Sequence, residues 1–168
     1  MSKQTMVFLD TEFTDQLDPR RISIGLVAET GEELYIEIPF SFKHCSDFVR
    51  EAVLPRLGKA PEAFCPLPLL RDGIITYLAR VRYGEGNVLL AYDYSTDWWL
   101  LYEAMDQNPP EWVRTHLVWS QLNELLLEDY WQKTGECRHH ALHDARANQY
   151  AYRPKPPGLP TDGEEQAS

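Results

Sequence analysis

Residues Val7-Phe8-Leu9-Asp10-Thr11-Glu12-Phe13-Thr14 run three apolar side chains straight into an Asp-x-Glu pair. Side chains two apart on a strand share a face. If this run is a strand, Asp10 and Glu12 emerge together at its carboxyl end. Two anions that close repel, and burial would raise their pKa values. A divalent cation reverses that cost, because hard oxygen donors suit Mg²⁺ and Mn²⁺. The pair therefore points to a metal site, provided that further carboxylates reach it. Two stand in suitable places. Asp97 follows the apolar run Val88-Leu89-Leu90-Ala91 and a short loop, at the expected start of a helix, where negative charge is favoured. Asp144 sits within Ala141-Leu142-His143-Asp144-Ala145, whose small residues let a helix pack closely on a sheet and hold Asp144 near Asp10. His139, five residues before Asp144, is expected in the first turn of that helix, less buried and free to move.

The elements that must position these groups follow from hydrophobic periodicity. Met6 to Thr11 reads as a buried strand. Arg21 to Glu29 alternates Ile22, Ile24, Leu26 and Ala28, and after the Thr30-Gly31 turn signal Glu33 to Pro39 alternates Leu34, Ile36 and Ile38. These are three sequential antiparallel strands. Ser46 is suited to cap a helix to about Leu57, with Val49, Val53, Leu54 and Leu57 inward. Past Pro61, Pro66 and Pro68, a second helix runs from Leu69 to Arg82 on Leu70, Ile74, Leu78 and Val81, stopped by Gly84 and Gly86. Asn87 to Tyr92 is a short buried strand. Thr96 is suited to cap a helix from Asp97 that ends before Asn108-Pro109-Pro110. Leu122 to Lys133 and Ala141 to Tyr152 are the last two helices. The order predicts an α/β fold, a mixed sheet with helices packed on it. The domain is expected to span 1–153, followed by a disordered Pro-rich, acidic tail over 154–168.

A chain of 168 residues fits one domain with a substantial core. Its formal net charge of −10 argues against a general nucleic-acid scaffold with a basic face. It leaves room for an enzyme that grips nucleic acid locally through metal ions, since bound cations invert the local field. Cys45, Cys65 and Cys137 have no paired spacing and read as reduced thiols, neither a disulfide framework nor a zinc site. No apolar stretch reaches the roughly 18 residues of a membrane span, and no signal-peptide pattern opens the chain. A soluble, cytoplasmic protein is expected.

With these motifs in order, the chain resembles the DEDD superfamily of 3′–5′ exonucleases, in the branch with a catalytic histidine (DEDDh). Asp10, Glu12 and Thr14 match its first motif. Asp97 matches the second, an Asp opening a helix after a buried strand. His139 and Asp144 match the third, His followed after four residues by Asp, with Ala141, Leu142 and Ala145 in their usual places. The resemblance runs from about Met6 to Tyr152 and is strongest to small stand-alone bacterial and phage exoribonucleases. It departs at Asp93, where many relatives carry Asn four residues before the second-motif Asp, and at Asp15, where Gly is common. Asp93 is thus a rival to Asp97 as ligand; Asp97 is preferred because it opens the Trp98-Trp99-Leu100-Leu101 helix.

The resemblance implies a ribonuclease H-like mixed five-stranded sheet with flanking helices, and two-metal hydrolysis of phosphodiesters with Mg²⁺ or Mn²⁺. It implies that Asp10 bridges both ions, that Glu12 and Asp144 complete one site, and that Asp97 serves the other. His139 becomes the general base for the attacking water; its unperturbed pKa of about 6.5 suits that role. Phe13 and Thr14 are implied to meet the terminal base and sugar. The substrate implied is the single-stranded 3′ end of a nucleic acid, RNA favoured, released as nucleoside 5′-monophosphates. A homodimer is also implied, for which the Trp98-Trp99 helix offers apolar surface. Each residue alone has a plainer reading. Asp97 suits a helix start, and His140 and His143 read as surface histidines. Arg146 and Asn148 read as helix-surface residues, and Trp98 and Trp99 as core and interface. Two other functions stand beside the first: a catalytically quiet nucleic-acid-binding protein of the same fold, and a hydrolase of small nucleotides.

Overall fold

The computed structural model describes residues 4–154. The tail expected from 154 onward lies, after Pro154, outside the described residues. Strands β1 (Gln4–Phe13), β2 (Arg21–Ala28) and β3 (Glu33–Glu37) come first, then helices α1 (Asp47–Ala52) and α2 (Leu67–Val81). Next come β4 (Asn87–Tyr92), α3 (Ser95–Ala104), β5 (Val113–Leu117), α4 (Glu124–Thr134) and α5 (Ala141–Ala151). The five strands form one sheet in the order β3-β2-β1-β4-β5. β1–β2 and β2–β3 are antiparallel, while β1–β4 and β4–β5 are parallel. This is the mixed five-stranded sheet of a ribonuclease H-like fold.

The alternation in β2 and β3 faces Ile24, Leu26, Ala28, Ile36 and Ile38 onto the main core, together with Leu70, Ile74, Leu78 and Val81 of α2. Leu101, Ala104 and Met105 bring α3 to the same face. The opposite face packs Phe8 and Ala91 against Val118, with Leu122 and Tyr152 alongside, and carries α5. Ile22 belongs to a smaller cluster with Cys45, Val49 and Val53 under α1.

Several boundaries differ from the sequence expectation, each for a local reason. β1 extends to Phe13 because β2 keeps pairing with it, as far as Phe13↔Arg21, after β4 has stopped at Phe8↔Ala91. Ser46 does cap α1, accepting from the Val49 amide at 3.2 Å. The helix nevertheless ends at Ala52, and the chain tightens into a 3₁₀ turn over Leu54–Arg56, since Pro55 withdraws a donor. Thr96 is not a cap. Tyr94 holds the N-cap position of α3, and Asp97 lies in its first turn. Asn123, not Leu122, starts α4, its side chain accepting from the Leu126 amide at 3.1 Å. β5 had no periodic signal: Val113-Arg-Thr-His-Leu117 is an edge strand that buries Val113 but exposes Arg114, Thr115 and Leu117.

The approach of α5 to the sheet depends on Gly25. It lies opposite Asp10 in the β1–β2 ladder, and an added Cβ would fall 2.3 Å from the Ala141 carbonyl oxygen and 2.5 Å from the Leu142 amide nitrogen. Gly25→Ala must therefore push the first turn of α5 outward or strain β2. Denaturant unfolding is expected to show a loss of about 1–3 kcal/mol. A stability equal to that of the unsubstituted chain would mean that α5 does not sit this close.

Candidate active site

Because β1 and β4 run parallel, their carboxyl ends reach the same edge of the sheet, the usual place for ligands in open α/β folds. Asp10 and Glu12 stand on the overhang of β1, past its last pairing with β4. Asp93 immediately follows β4, and Asp97 reaches in from α3 on one face of the sheet. Asp144 reaches in from α5 on the other. One carboxylate oxygen each from Asp10, Glu12 and Asp144 lie within 4.8 Å of one another, and so do those of Asp10, Asp93 and Asp97. Asp10 is common to both groups. The sequence set Asp93 against Asp97, but the fold brings both to Asp10.

Each flanking carboxylate is held by a donor from a different element. Asp97, 3% exposed, accepts from the Thr11 amide at 3.1 Å and the Thr11 hydroxyl at 2.6 Å. Asp93 accepts from the Asn148 side chain at 3.0 Å. Asp144 accepts from the His140 amide at 2.9 Å, satisfying an otherwise orphaned donor at the start of α5. Arg146 instead joins both carboxylate oxygens of Glu33 at 2.7 Å, and also Glu136 at 2.5 Å. It ties α5 to β3 and does not face the cleft. Asn148 is not a surface residue either; its role is to orient Asp93.

Five carboxylates this close disfavour ionisation. Burial first, then the charges of Asp97, Asp144, Glu12 and Asp93, push Asp10 well above the usual carboxylate range. Burial and Asp144 push Glu12 up to about 8. Burial also dominates at Asp97, pushed up to about 8 against the bonds from Thr11, and at Asp144, pushed up to about 6. No ion pair among the described residues engages any of the five. An all-carboxylate donor set with no such ion pair fits hard divalent cations. Zinc ligation by His140, His143 or Cys137 gains no support, since no His or Cys joins either ligand group among the described residues. His140 stacks between Tyr35 and His143.

The carboxylates line a cleft of about 560 Å³ together with Phe13, Phe48, Tyr94 and His139. His139 is not in the first turn of α5. It precedes the helix with φ at +60°, a left-handed conformation unusual for a non-glycine residue and frequent at functional sites. The Phe48 ring meets it edge-on at 5.0 Å. Burial, then Arg56 and Arg138, lower its pKa. Thr14 does not reach the cleft. It is fully buried, its hydroxyl accepting from the Arg20 amide at 3.1 Å and its carbonyl from the Ser46 amide at 2.9 Å. It joins the β1–β2 loop to the start of α1, and its hydroxyl is turned to Arg20 rather than to the cleft. Phe48 and Tyr94, both more than half exposed, were missed as cleft residues. No periodic signal marks an aromatic that stands outside the apolar core.

No family model and no curated protein sequence matches the chain. Among solved structures, the nuclease domain of 3′hExo, a DEDDh family member bound to rAMP, superposes with a TM-score of 0.58. The two are 15% identical in sequence, and the match covers 86% of this chain and 88% of that one. The chain thus has the fold of a DEDDh-family nuclease domain.

The raised carboxylate values give a stability prediction of definite sign. Between about pH 5 and 8 the folded, metal-free protein keeps protons on Glu12 and Asp97 that the unfolded chain has lost, so stability falls as pH rises. Denaturant midpoints measured in EDTA should drop across that range, by at least about 1 kcal/mol in free energy. Mn²⁺ should restore stability at pH 8, and Glu12→Gln should flatten the fall. Stability that climbs with pH in EDTA would contradict the assigned electrostatics.

Proposed function

We propose that the chain is a DEDDh-type 3′–5′ exonuclease that hydrolyses phosphodiesters at the single-stranded 3′ end of a nucleic acid, RNA favoured. The observation that carries this reading is the sharing of Asp10 between two carboxylate groups at one cleft, with His139 at its wall. The fold of a DEDDh nuclease domain supports it, and the rAMP bound by that domain supports an RNA end.

In this reading Asp10, Glu12 and Asp144 would hold one divalent cation, Mg²⁺ or Mn²⁺, and Asp10, Asp93 and Asp97 would hold a second. Such cations would supply a more acidic bound water and would offset the negative charge of the phosphate. The chain's own residues do the rest. His139, kept neutral by its lowered pKa, accepts a proton at a ring nitrogen as the water oxygen forms its bond to phosphorus. The bond from phosphorus to the 3′ oxygen of the shortened strand breaks, and that oxygen takes up a proton from solvent water. The terminal nucleotide leaves as a 5′-monophosphate. Phe13, with Phe48 and Tyr94 beside it, offers ring faces to the terminal base; such stacking accepts any base. The exposed ring of Trp99 on α3 is the surface this reading offers for a second copy of the chain.

Incubating 5′-labelled single-stranded RNA and DNA with Mn²⁺, Mg²⁺ or EDTA tests the proposal. The expected result is a metal-dependent ladder of strands shortened one nucleotide at a time from the 3′ end. Intact strands in every condition would overturn it in favour of a quiet binding protein, and hydrolysis confined to mononucleotides would favour a small-nucleotide hydrolase. His139→Ala should cut turnover by about 10²–10⁴-fold while calorimetry still records Mn²⁺ binding. Lost binding with intact turnover would remove His139 from its role.

A further inference from the structure

Beside the carboxylate cleft lies a second depression, of about 360 Å³, whose chemistry is the reverse. Arg20, Arg21 and His44 supply its donors, and Phe40 and Leu67, both partly exposed, supply apolar wall. In a chain with a net charge of −10, two guanidinium groups and an imidazole facing one pocket need a reason. Their own pairings do not exhaust them. Arg20 reaches Asp18 at 2.9 Å, but that carboxylate is 73% exposed, and surface pairs of this kind exchange partners readily. Arg20 Nη1 donates to His44 Nδ1 at 3.2 Å, which sets the imidazole beside the guanidinium at the pocket wall. Arg21 meets Glu103 at 3.2 Å and the Leu100 carbonyl at 3.4 Å, while its Nε is buried without a hydrogen-bond partner among the described residues. The planar guanidinium fork matches phosphate geometry.

The pocket adjoins the cleft through three connections. Phe13, in the cleft wall, pairs with Arg21 across the β1–β2 ladder; such partners lie about 5 Å apart at Cα. Thr14, next in sequence, exchanges backbone and hydroxyl bonds with Arg20 at 2.9 and 3.1 Å. Ser46 lines the cleft two residues after His44 lines the pocket. A strand whose terminal nucleotide occupies the cleft would bring its next nucleotide here.

We propose that this pocket is the subsite for the nucleotide on the 5′ side of the scissile bond. Arg20, Arg21 and His44 hold the next phosphate along the strand, and Phe40 and Leu67 pack against the base. The inference rests on the exonuclease reading and adds a substrate requirement. A strand carrying at least one phosphate beyond the scissile one is preferred over a dinucleotide that lacks it.

The test compares kcat/KM, with Mn²⁺, for the dinucleotide NpN, its 5′-phosphorylated form pNpN and a five-nucleotide strand. The full chain should prefer pNpN over NpN by about tenfold, the worth of one charge-assisted contact. Arg20→Ala and His44→Ala should collapse that ratio towards one. Arg114→Ala, an equal charge change on β5 at the far edge of the sheet, should keep it. No preference in the unsubstituted chain, or a preference that survives Arg20→Ala, overturns the proposal. If the chain cleaves none of these substrates, the exonuclease reading fails and a binding measurement decides the pocket alone. Anisotropy of an internally labelled five-nucleotide strand, titrated across salt, should then show the salt slope falling by about 1 in Arg20→Ala. Absent binding or an unchanged slope overturns the subsite.

Discussion

Four carboxylates converge on that of Asp10, and the rest of the molecule is arranged around holding them there. Their mutual repulsion and their burial oppose folding together. The cost is met by the apolar packing on both faces of the sheet. Val7 and Leu9, immediately before Asp10, are fully buried, so the strand cannot shift to relieve the crowding without exposing them. A one-residue slip would turn the whole apolar set to the wrong face. The site is thus kept in a conflict that protonation relieves at low pH and that a bound cation would relieve at high pH.

The mixed sheet makes the convergence possible. Antiparallel pairing with β2 extends β1 beyond the last residue paired with β4, leaving Asp10 and Glu12 on an overhang with space beside it. Parallel pairing with β4 then delivers Asp93 and Asp97 to the same edge. Helices on opposite faces close the arrangement: α3 through the bonds from Thr11 to Asp97, and α5 through its close approach at Gly25. Thr11 and Gly25 carry no chemistry themselves, but each sets the distance at which a carboxylate meets Asp10.

In the proposed function, an acidic protein that acts on an anionic strand would need its positive charge placed locally. Divalent cations would supply it in the cleft, and Arg20 and Arg21 supply it next door. The aromatic rings of Phe13, Phe48 and Tyr94 along the cleft add contact area that costs no charge. The division also explains why overall composition is a poor guide to substrate here, since the field that a strand meets at this edge differs from that of the whole surface.

Much of this was legible in the residue order. Continuous apolar runs located β1 and β4, alternation located β2 and β3, and caps, prolines and glycines placed five helices to within a few residues. Asp10, Glu12, Asp97, His139 and Asp144 were identifiable because each follows a local pattern: a strand exit, a helix start, a run of small residues. β5 escaped because an edge strand with one buried side chain has almost no period to read. The rivalry of Asp93 and Asp97, the withdrawal of Thr14 into the β1–β2 loop, the left-handed turn at His139 and the Arg20–Arg21–His44 pocket were decided by tertiary structure alone. Each depends on which segments far apart in the chain come to lie side by side. Local propensity records the shape of a segment, whereas the direction and neighbours of a side chain are set by packing against elements that the segment itself does not contain.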